Sequence, residues 1–398
     1  MTTAATTVTA MKAAFAVVLL MSIFMLSSVM MFSRQDKLAV PPPAAARMRQ
    51  NDEFRPRELR FLTLADLVRG EICVMASKLF SHGYPMDVLA WNHSTTFFDG
   101  TSCGPPCSAE KNGEFRHGQQ KKLHWLLHYF VHSPDLHDDD LVLYNDAWDV
   151  VVQNDPSVLP HLFLKHTGGV RGVIFNSEPS CGDSFTLPSD YARTLRESFF
   201  EVRLDMSYPP RKIRGDNICN LIAAKTAINS KVAGPNWSLG SGGILGDVKS
   251  IRAFLLRVDQ VRREQEALAA TGVSVAFEGD QVAFQLAYVR FPEINAKVDT
   301  SGEIFLVVSY LVAEGDLEFF NPKTGCEVGF MKSNRPSTLS WFQGPPVFLH
   351  FPGDFKSMFP SCERLAAEHV RDLHPGKYFV DVDRKTKVKI HDVCSNFS

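Results

Sequence analysis

Two aspartates three positions apart, Asp146 and Asp149, sit in the stretch LVLYNDAWDVVVQ, Leu141 to Gln153, whose other residues are mostly apolar. Side chains three apart on a regular strand point to opposite faces, so these carboxylates converge only where the chain turns as it leaves a sheet. Converging carboxylates repel unless a cation lies between them. A divalent ion that favours oxygen ligands, such as Mn²⁺ or Mg²⁺, fills that role and keeps positions open for phosphate oxygens. The plainer alternative is that one Asp caps a turn and the other is solvated.

Near the C-terminal end, VFLHFPGDFK is again an apolar run that ends in polar residues, and its His350, Gly353 and Lys356 form H-x-x-G-x-x-K. A neutral imidazole completes a carboxylate metal site, a Gly lets backbone N–H groups approach a diphosphate, and a Lys supplies a point charge to it. The three roles serve one ligand, a metal-bound diphosphate. A lone His at a strand end is otherwise structural. Between the two motifs, NWSLGSGGILG reads as a small-residue turn over Gly240 to Gly243 before a helix that starts around Asp247. In FEGDQVAFQLAY, Asp280 and Gln281 open an amphipathic helix, either as a cap or in contact with an acceptor hydroxyl.

The elements that position these residues follow from periodicity. LRFLTLA is a buried strand, DLVRGEICVMASKLFSHG an amphipathic helix closed by Gly83, and PMDVLAWN a second strand. This βαβ start predicts a parallel sheet covered by helices. Thr95 to Phe115 reads as a loop, GQQKKLHWLLHYFVHS as a helix, DDDLVLYNDAWDVVV as a strand, and GVIFNSEP as a further strand ending in polar residues. In open α/β sheets ligands gather outside the carboxyl ends of strands, where both NDAWD and NSEP sit.

Composition bounds the function. The 42 basic and 44 acidic residues nearly balance, with no basic block or basic-aromatic stripe, so nucleic acid is not an expected partner. Residues Ala13 to Phe32 are an uncharged apolar run of bilayer-spanning length, read as a retained signal anchor, with a cleaved signal cut near AAAR as the alternative. The expected organisation is a short cytoplasmic tail (1–12), a transmembrane anchor (13–32), a Pro- and Ala-rich stem (33–57), one folded domain (58–360) and an extension (361–398). Sequons at Asn92, Asn236 and Asn396, and the eight cysteines, fit a lumenal body. A loop disulfide between Cys103 and Cys107 is preferred to half of a zinc site, since no second pair has matching spacing.

With these pieces in this order, the chain from about Arg60 to Lys356 resembles metal-dependent nucleotide-sugar glycosyltransferases of the GT-A fold. It is most similar to the amino-terminal glycosyltransferase domain of procollagen lysyl hydroxylases, and the late segment is shared with glycogenin-like transferases. The resemblance implies a Rossmann-like nucleotide-sugar-binding domain of the α/β class. It further implies Mn²⁺ or another divalent cation at Asp146, Asp149 and His350, with the UDP diphosphate at Gly353 and Lys356. IFNSEPSC resembles the family's F-S-A-E strand and implies Glu178 near the donor sugar. LGSGGILG resembles its N-S-G-G-F-I-G turn and implies Gly242 and Gly243 at the donor. HGQQKKLHWL resembles G-G-Q-K-x-x-W-L and carries over Lys122 and Trp125, GDQVAFQ resembles D-D-Q-L-F and places Asp280 with Gln281 on the acceptor side, and VDTSGEIF aligns Asp299.

Gly240 stands where the family's turn opens with Asn, and Gly182 where a Trp follows its Cys, so no particular donor sugar is implied. Ser198 to Asn236 is longer than the family's pattern, and about 40 residues follow Lys356, fewer than a second domain of ordinary size requires, so collagen hydroxylation is not expected. The expected activity is transfer from a UDP-sugar to a hydroxyl on a protein or glycan, by a single-pass type II protein of the Golgi or endoplasmic reticulum membrane. Glu178 and Asp280 are the candidate catalytic carboxylates. A non-catalytic GT-A-fold protein that binds a glycan or partner is the alternative, and a phosphohydrolase lacks the second cluster of metal ligands that it needs.

Overall fold

In the computed structural model, which describes residues 54–66, 71–92, 113–178, 218–229, 237–270, 280–307, 346–352 and 376–394, the frame is an α/β sheet built outward from Leu141–Asp146. That strand, β3, alternates between two apolar layers. Leu141 and Leu143 join one core cluster and Val142 and Tyr144 the other, as a period of two requires. Burying each large aliphatic side chain stabilises by roughly 1.5–3 kcal/mol, and this anchors Asp146 at the strand's exit.

Parallel neighbours of β3 run through β1 (Leu59–Leu64) and β2 (Met86–Leu89), joined by helix α1 (Glu71–Ser81), which Gly83 closes at φ +84°. Helix α2 (Gly113–His132) then leads into β3, and β4 (Val150–Val152) follows after a turn. Next come α3 (Leu159–Thr167), β5 (Val173–Glu178), α4 (Ile218–Asn229), β6 (Ser238–Asp247), α5 (Val248–Ala270) and α6 (Gln281–Arg290). The short strands β7 (Ala296–Val298), β8 (Phe305–Val307) and β9 (Phe348–His350) precede a hairpin of β10 (Tyr378–Asp381) and β11 (Thr386–Lys389), and α7 (Ile390–Cys394) closes the described chain.

Eight strands form the large sheet in the order β11-β10-β2-β1-β3-β6-β5-β7, and β4-β9-β8 form a second, small sheet. Helices α2, α4, α5 and α6 contribute to the core cluster on one face; α1, α3 and the small sheet contribute to the other. Cys73 on α1 is bonded to Cys394 on α7, across 321 positions of sequence. Cys219 is also disulfide-bonded.

Four readings of the sequence change here. The sheet is mixed, because β6 runs antiparallel to both β3 and β5. Gly240 to Gly243 is no turn: it lies inside β6, whose ten residues are all buried. A strand glycine costs about 0.5–1 kcal/mol against Ala, and β6 uses that absence of side chains for close approach by its neighbours. The single strand read over 138–152 is two strands in two sheets, broken at Ala147 to Asp149. Finally, α2 begins at Gly113, inside the stretch read as a loop.

The anchor 13–32, stem residues 33–53, Cys103, Cys107, Asn236 and Asn396 lie outside the described residues. Residues 54–57, read as the end of the stem, instead pack on the body: Phe54 is buried and its N–H donates to the Gly169 carbonyl, and Arg57 pairs with Asp140. Among those described, no helix is long and apolar enough to cross a membrane. Asn92 is exposed, at the end of the described stretch after β2.

Candidate metal centre

The turn after β3 does what convergence requires. β4 pairs antiparallel with β9, with Val150 opposite His350, and Phe351 N–H donates to the Asp149 carbonyl at 2.8 Å. This ladder sets Asp149 beside His350, while β3 delivers Asp146 from the large sheet. One ligand atom from each of Asp146, Asp149 and His350 lies within 4.8 Å of the others. These two carboxylates and one imidazole could hold a metal ion.

The ligand atoms pack closely against β6, and Gly at 242 brings no side chain between them. A Cβ there would lie 2.4 Å from His350 Cε1 and 3.0 Å from both Asp146 Oδ2 and His350 Nε2. Any side chain at 242 would therefore press on His350 and Asp146, which already lie tight against this glycine. His350 Nε2 is buried without a hydrogen bond, facing Asp149 Oδ1 at 3.5 Å, longer than such bonds normally run. A buried nitrogen of this kind beside two carboxylates fits a hard or borderline divalent ion.

The two oxygens of Asp146 have different surroundings. Tyr144 O–H donates to Oδ1 at 2.9 Å and Lys122 Nζ donates to the same atom at 3.2 Å, whereas Oδ2 faces the Gly242 side. Lys122 reaches in from α2 and pairs also with Asp280 Oδ2 at 2.7 Å, while Ser241 carbonyl O and Oγ lie at 3.3 and 3.4 Å. Burial alone would lower the Lys122 pKa, but Asp146 and Asp280 outweigh it and hold the ammonium well above its ordinary value. Burial raises Asp146, Lys122 opposes that, and Asp149 adds to it. Burial would likewise lower His350, yet Asp149 and Asp146 hold it above its ordinary value. The Tyr144 phenol is raised far, first by burial and then by Asp146, and so stays a donor.

The capping role read for Asp280 does not hold. It occupies the N-cap position of α6, but its side chain makes no cap hydrogen bond, because Lys122 draws the carboxylate into the site. The next residue turns the other way, and Gln281 Nε2 donates to Glu178 Oε2 at 3.2 Å at the exit of β5. Glu178 thus lies beside β6 and the start of α6, near enough to His350 to influence its charge. The departure at Gly240 has a spatial counterpart. A Cβ there would lie 2.5 Å from Asn176 Nδ2 and 2.8 Å from Glu178 Oε1, so the volume of a side chain at 240 is taken from the neighbouring strand.

Other expected residues fall elsewhere. A Cβ at Gly243 would meet the Phe305 ring at 2.7 Å, so this glycine serves packing beside the site. Trp125 is buried in the apolar cluster under the sheet. Asp299 accepts from the N–H groups of Ile304 and Phe305 at 2.7 and 2.8 Å and shapes the turn into β8; it is not one of the three grouped ligands. Gly353 and Lys356 lie outside the described residues. Tyr144 and Asn176 were not singled out in the sequence, although Tyr144 lies two before Asp146 and Asn176 two before Glu178, the spacing that puts strand side chains on one face.

No protein-family model matches this chain, and a search of curated proteins finds no match.

Proposed function

We propose that the chain is a metal-dependent glycosyltransferase of the GT-A type that moves a sugar from a UDP donor to a hydroxyl acceptor. The observation that carries this reading is the convergence of Asp146, Asp149 and His350, with Gly242 packed against two of them, at the exits of β3 and β9. An α/β sheet with its polar groups gathered at strand ends is compatible with a nucleotide-binding crevice.

When bound, a divalent cation supplies positive charge to a departing diphosphate. Asp146 Oδ2, an Asp149 oxygen and a His350 ring nitrogen are the groups that would hold it. Lys122 and Tyr144 fix the orientation of Asp146 through its other oxygen. Lys122 also carries charge toward Asp280, which would face an acceptor hydroxyl, while Glu178, held by Gln281, would orient the donor sugar. Gly353 and Lys356 enter on the H-x-x-G-x-x-K resemblance alone. The lumenal, type II placement likewise rests on Ala13 to Phe32 and the sequons.

The experiment is release of UDP by the purified full chain with Mn²⁺ and a panel of UDP-sugars, with and without chelator. Chelator-sensitive release from one donor supports the transferase and names its sugar. UDP and Mn²⁺ binding without release from any donor or acceptor favours the non-catalytic reading. In the same assay Asp149→Ala should abolish Mn²⁺-dependent UDP binding with the far-ultraviolet circular dichroism unchanged; retained affinity removes the metal assignment.

A further inference from the structure

His350 meets a cation through one ring nitrogen, and Asn176 bears on which one is able to. Asn176 is fully buried on β5, and its amide touches two groups. Gly243 N–H donates to Asn176 Oδ1 at 3.1 Å, and Asn176 Nδ2 lies 3.3 Å from His350 Nδ1. A backbone N–H only donates, so the amide atom facing Gly243 is the oxygen, and the atom facing the ring is the NH₂ group, itself only a donor. His350 Nδ1 must then accept. This leaves the proton of a neutral ring on Nε2, the nitrogen that faces Asp149 and lies beside Gly242. A ring that offers the Nε2 lone pair to a cation carries its proton on Nδ1 instead, and needs an acceptor there.

We infer that Asn176 is a positioning residue whose amide orientation governs the cation affinity of His350, so that cation binding turns the amide over. In the turned orientation Oδ1 accepts from His350 Nδ1–H, while Nδ2 faces Gly243 N–H, donor against donor. Binding is weakened by the lost Gly243 bond, and the β6 backbone at Gly243 is thereby coupled to occupancy of the centre. The inference rests on reading Asp146, Asp149 and His350 as cation ligands. It also makes an unusual demand on one substitution: Asn176→Asp puts oxygen toward both Gly243 N–H and His350 Nδ1–H, which removes the conflict.

Two measurements test it. In the full chain labelled with ¹⁵N-histidine, with the His350 signals assigned by their loss in His350→Gln and at a pH where the ring is neutral, Nδ1 should be unprotonated and Nε2 protonated. Titration with Mg²⁺ alone should reverse them. A proton on Nδ1 before Mg²⁺ is added overturns the inference and leaves the cation reading intact; ring shifts that ignore Mg²⁺ overturn the cation reading, and this inference with it. In the second measurement, Mn²⁺ affinity followed by electron paramagnetic resonance should rise about ten-fold or more in Asn176→Asp, the size of effect that partners of metal-bound histidines commonly have. Asn145→Asp adds the same charge next to Asp146 without an amide on the ring, and should rise far less. Equal gains in the two variants, or a loss in Asn176→Asp, overturn the inference; if either variant fails to fold, the nitrogen shifts of the unaltered chain decide.

Discussion

Gly242 lies so close to His350 that a methyl group on its Cα would sit 2.4 Å from the imidazole Cε1, a distance that real side chains do not tolerate. The ring is held by β9 and is almost fully buried, so it has little room to retreat. Gly242→Ala should therefore lower Mn²⁺ affinity by about ten-fold or more, as loss of ligand orientation does elsewhere. Titration calorimetry on the variant checks this, and unchanged affinity would show that cation binding does not depend on the placement of His350 against Gly242.

Lys122 joins two carboxylates of different elements, Asp146 on β3 and Asp280 before α6, with only 9% of its side chain exposed. Removing one partner of a buried ionic cluster leaves the others uncompensated, at a cost of about 3–5 kcal/mol. Lys122→Met should lose stability on that scale in denaturant unfolding. Adding Asp280→Asn should restore part of it, since neighbouring substitutions in one network are not additive. A double variant as unstable as the sum of the two single ones would mean that the Lys122–Asp280 contact carries no energy.

The link between α3 and the turn before β8 depends on pH. His166 Nε2 lies 3.2 Å from Glu303 Oε2, and Lys165 Nζ donates to the same carboxylate at 2.6 Å. The hydrogen bond with His166 is the main cause that lowers the Glu303 pKa from 4.5 to about 2. Burial would lower His166 from 6.5, but Glu303 and Asp299 raise it. A depressed acid stabilises above its unfolded value and loses that as pH falls toward its folded one; a raised base stabilises below its unfolded value and loses that as pH rises through its folded one. Both contributions are whole between about 4.5 and about 6.5, the ordinary values of the two groups. The melting temperature relative to His166→Gln should be highest in that window and should converge on the variant above it. A constant difference up to alkaline pH would remove the ionic part of the contact.

The Cys73–Cys394 bond ties α1 to α7 across 321 positions, so it closes a long loop of the unfolded chain. Loops of this length gain near the upper end of the usual range, and replacing both cysteines by serine should cost about 2–5 kcal/mol. Chemical denaturation of the double variant measures it. A change near zero would mean that α7 stays docked through Ile390 and Val393 alone, both of which are buried in the first core cluster.

Much of this frame was legible in the residues. Strands β1, β2, β3 and β5 and helices α1 and α2 follow from local apolar periodicity, because burial of one face or both is decided by neighbours in sequence. The motifs at Asp146, Asp149 and His350 were legible for a similar reason: carboxylates at the end of an apolar run cannot be explained by the core. What spacing could not reveal was the direction of β6. Its glycines read as a turn by composition, and only the flanking side chains of Asn176, Phe305 and His350, which occupy the volume of the missing Cβ atoms, explain why they sit in a strand.

The sequence by itself thus determined the α/β class and the residue types that converge, since both depend on hydrophobic period and on charge placed where a strand ends. Only the tertiary structure decided that β3 and β4 part into two sheets, that Asp280 answers Lys122 instead of capping α6, and that Asn176 reaches His350. The parting follows from the pairing of β4 with the distant β9, and the other two contacts join residues far apart in the chain, the last pair 174 positions apart; such meetings depend on how whole elements pack, which no local pattern encodes.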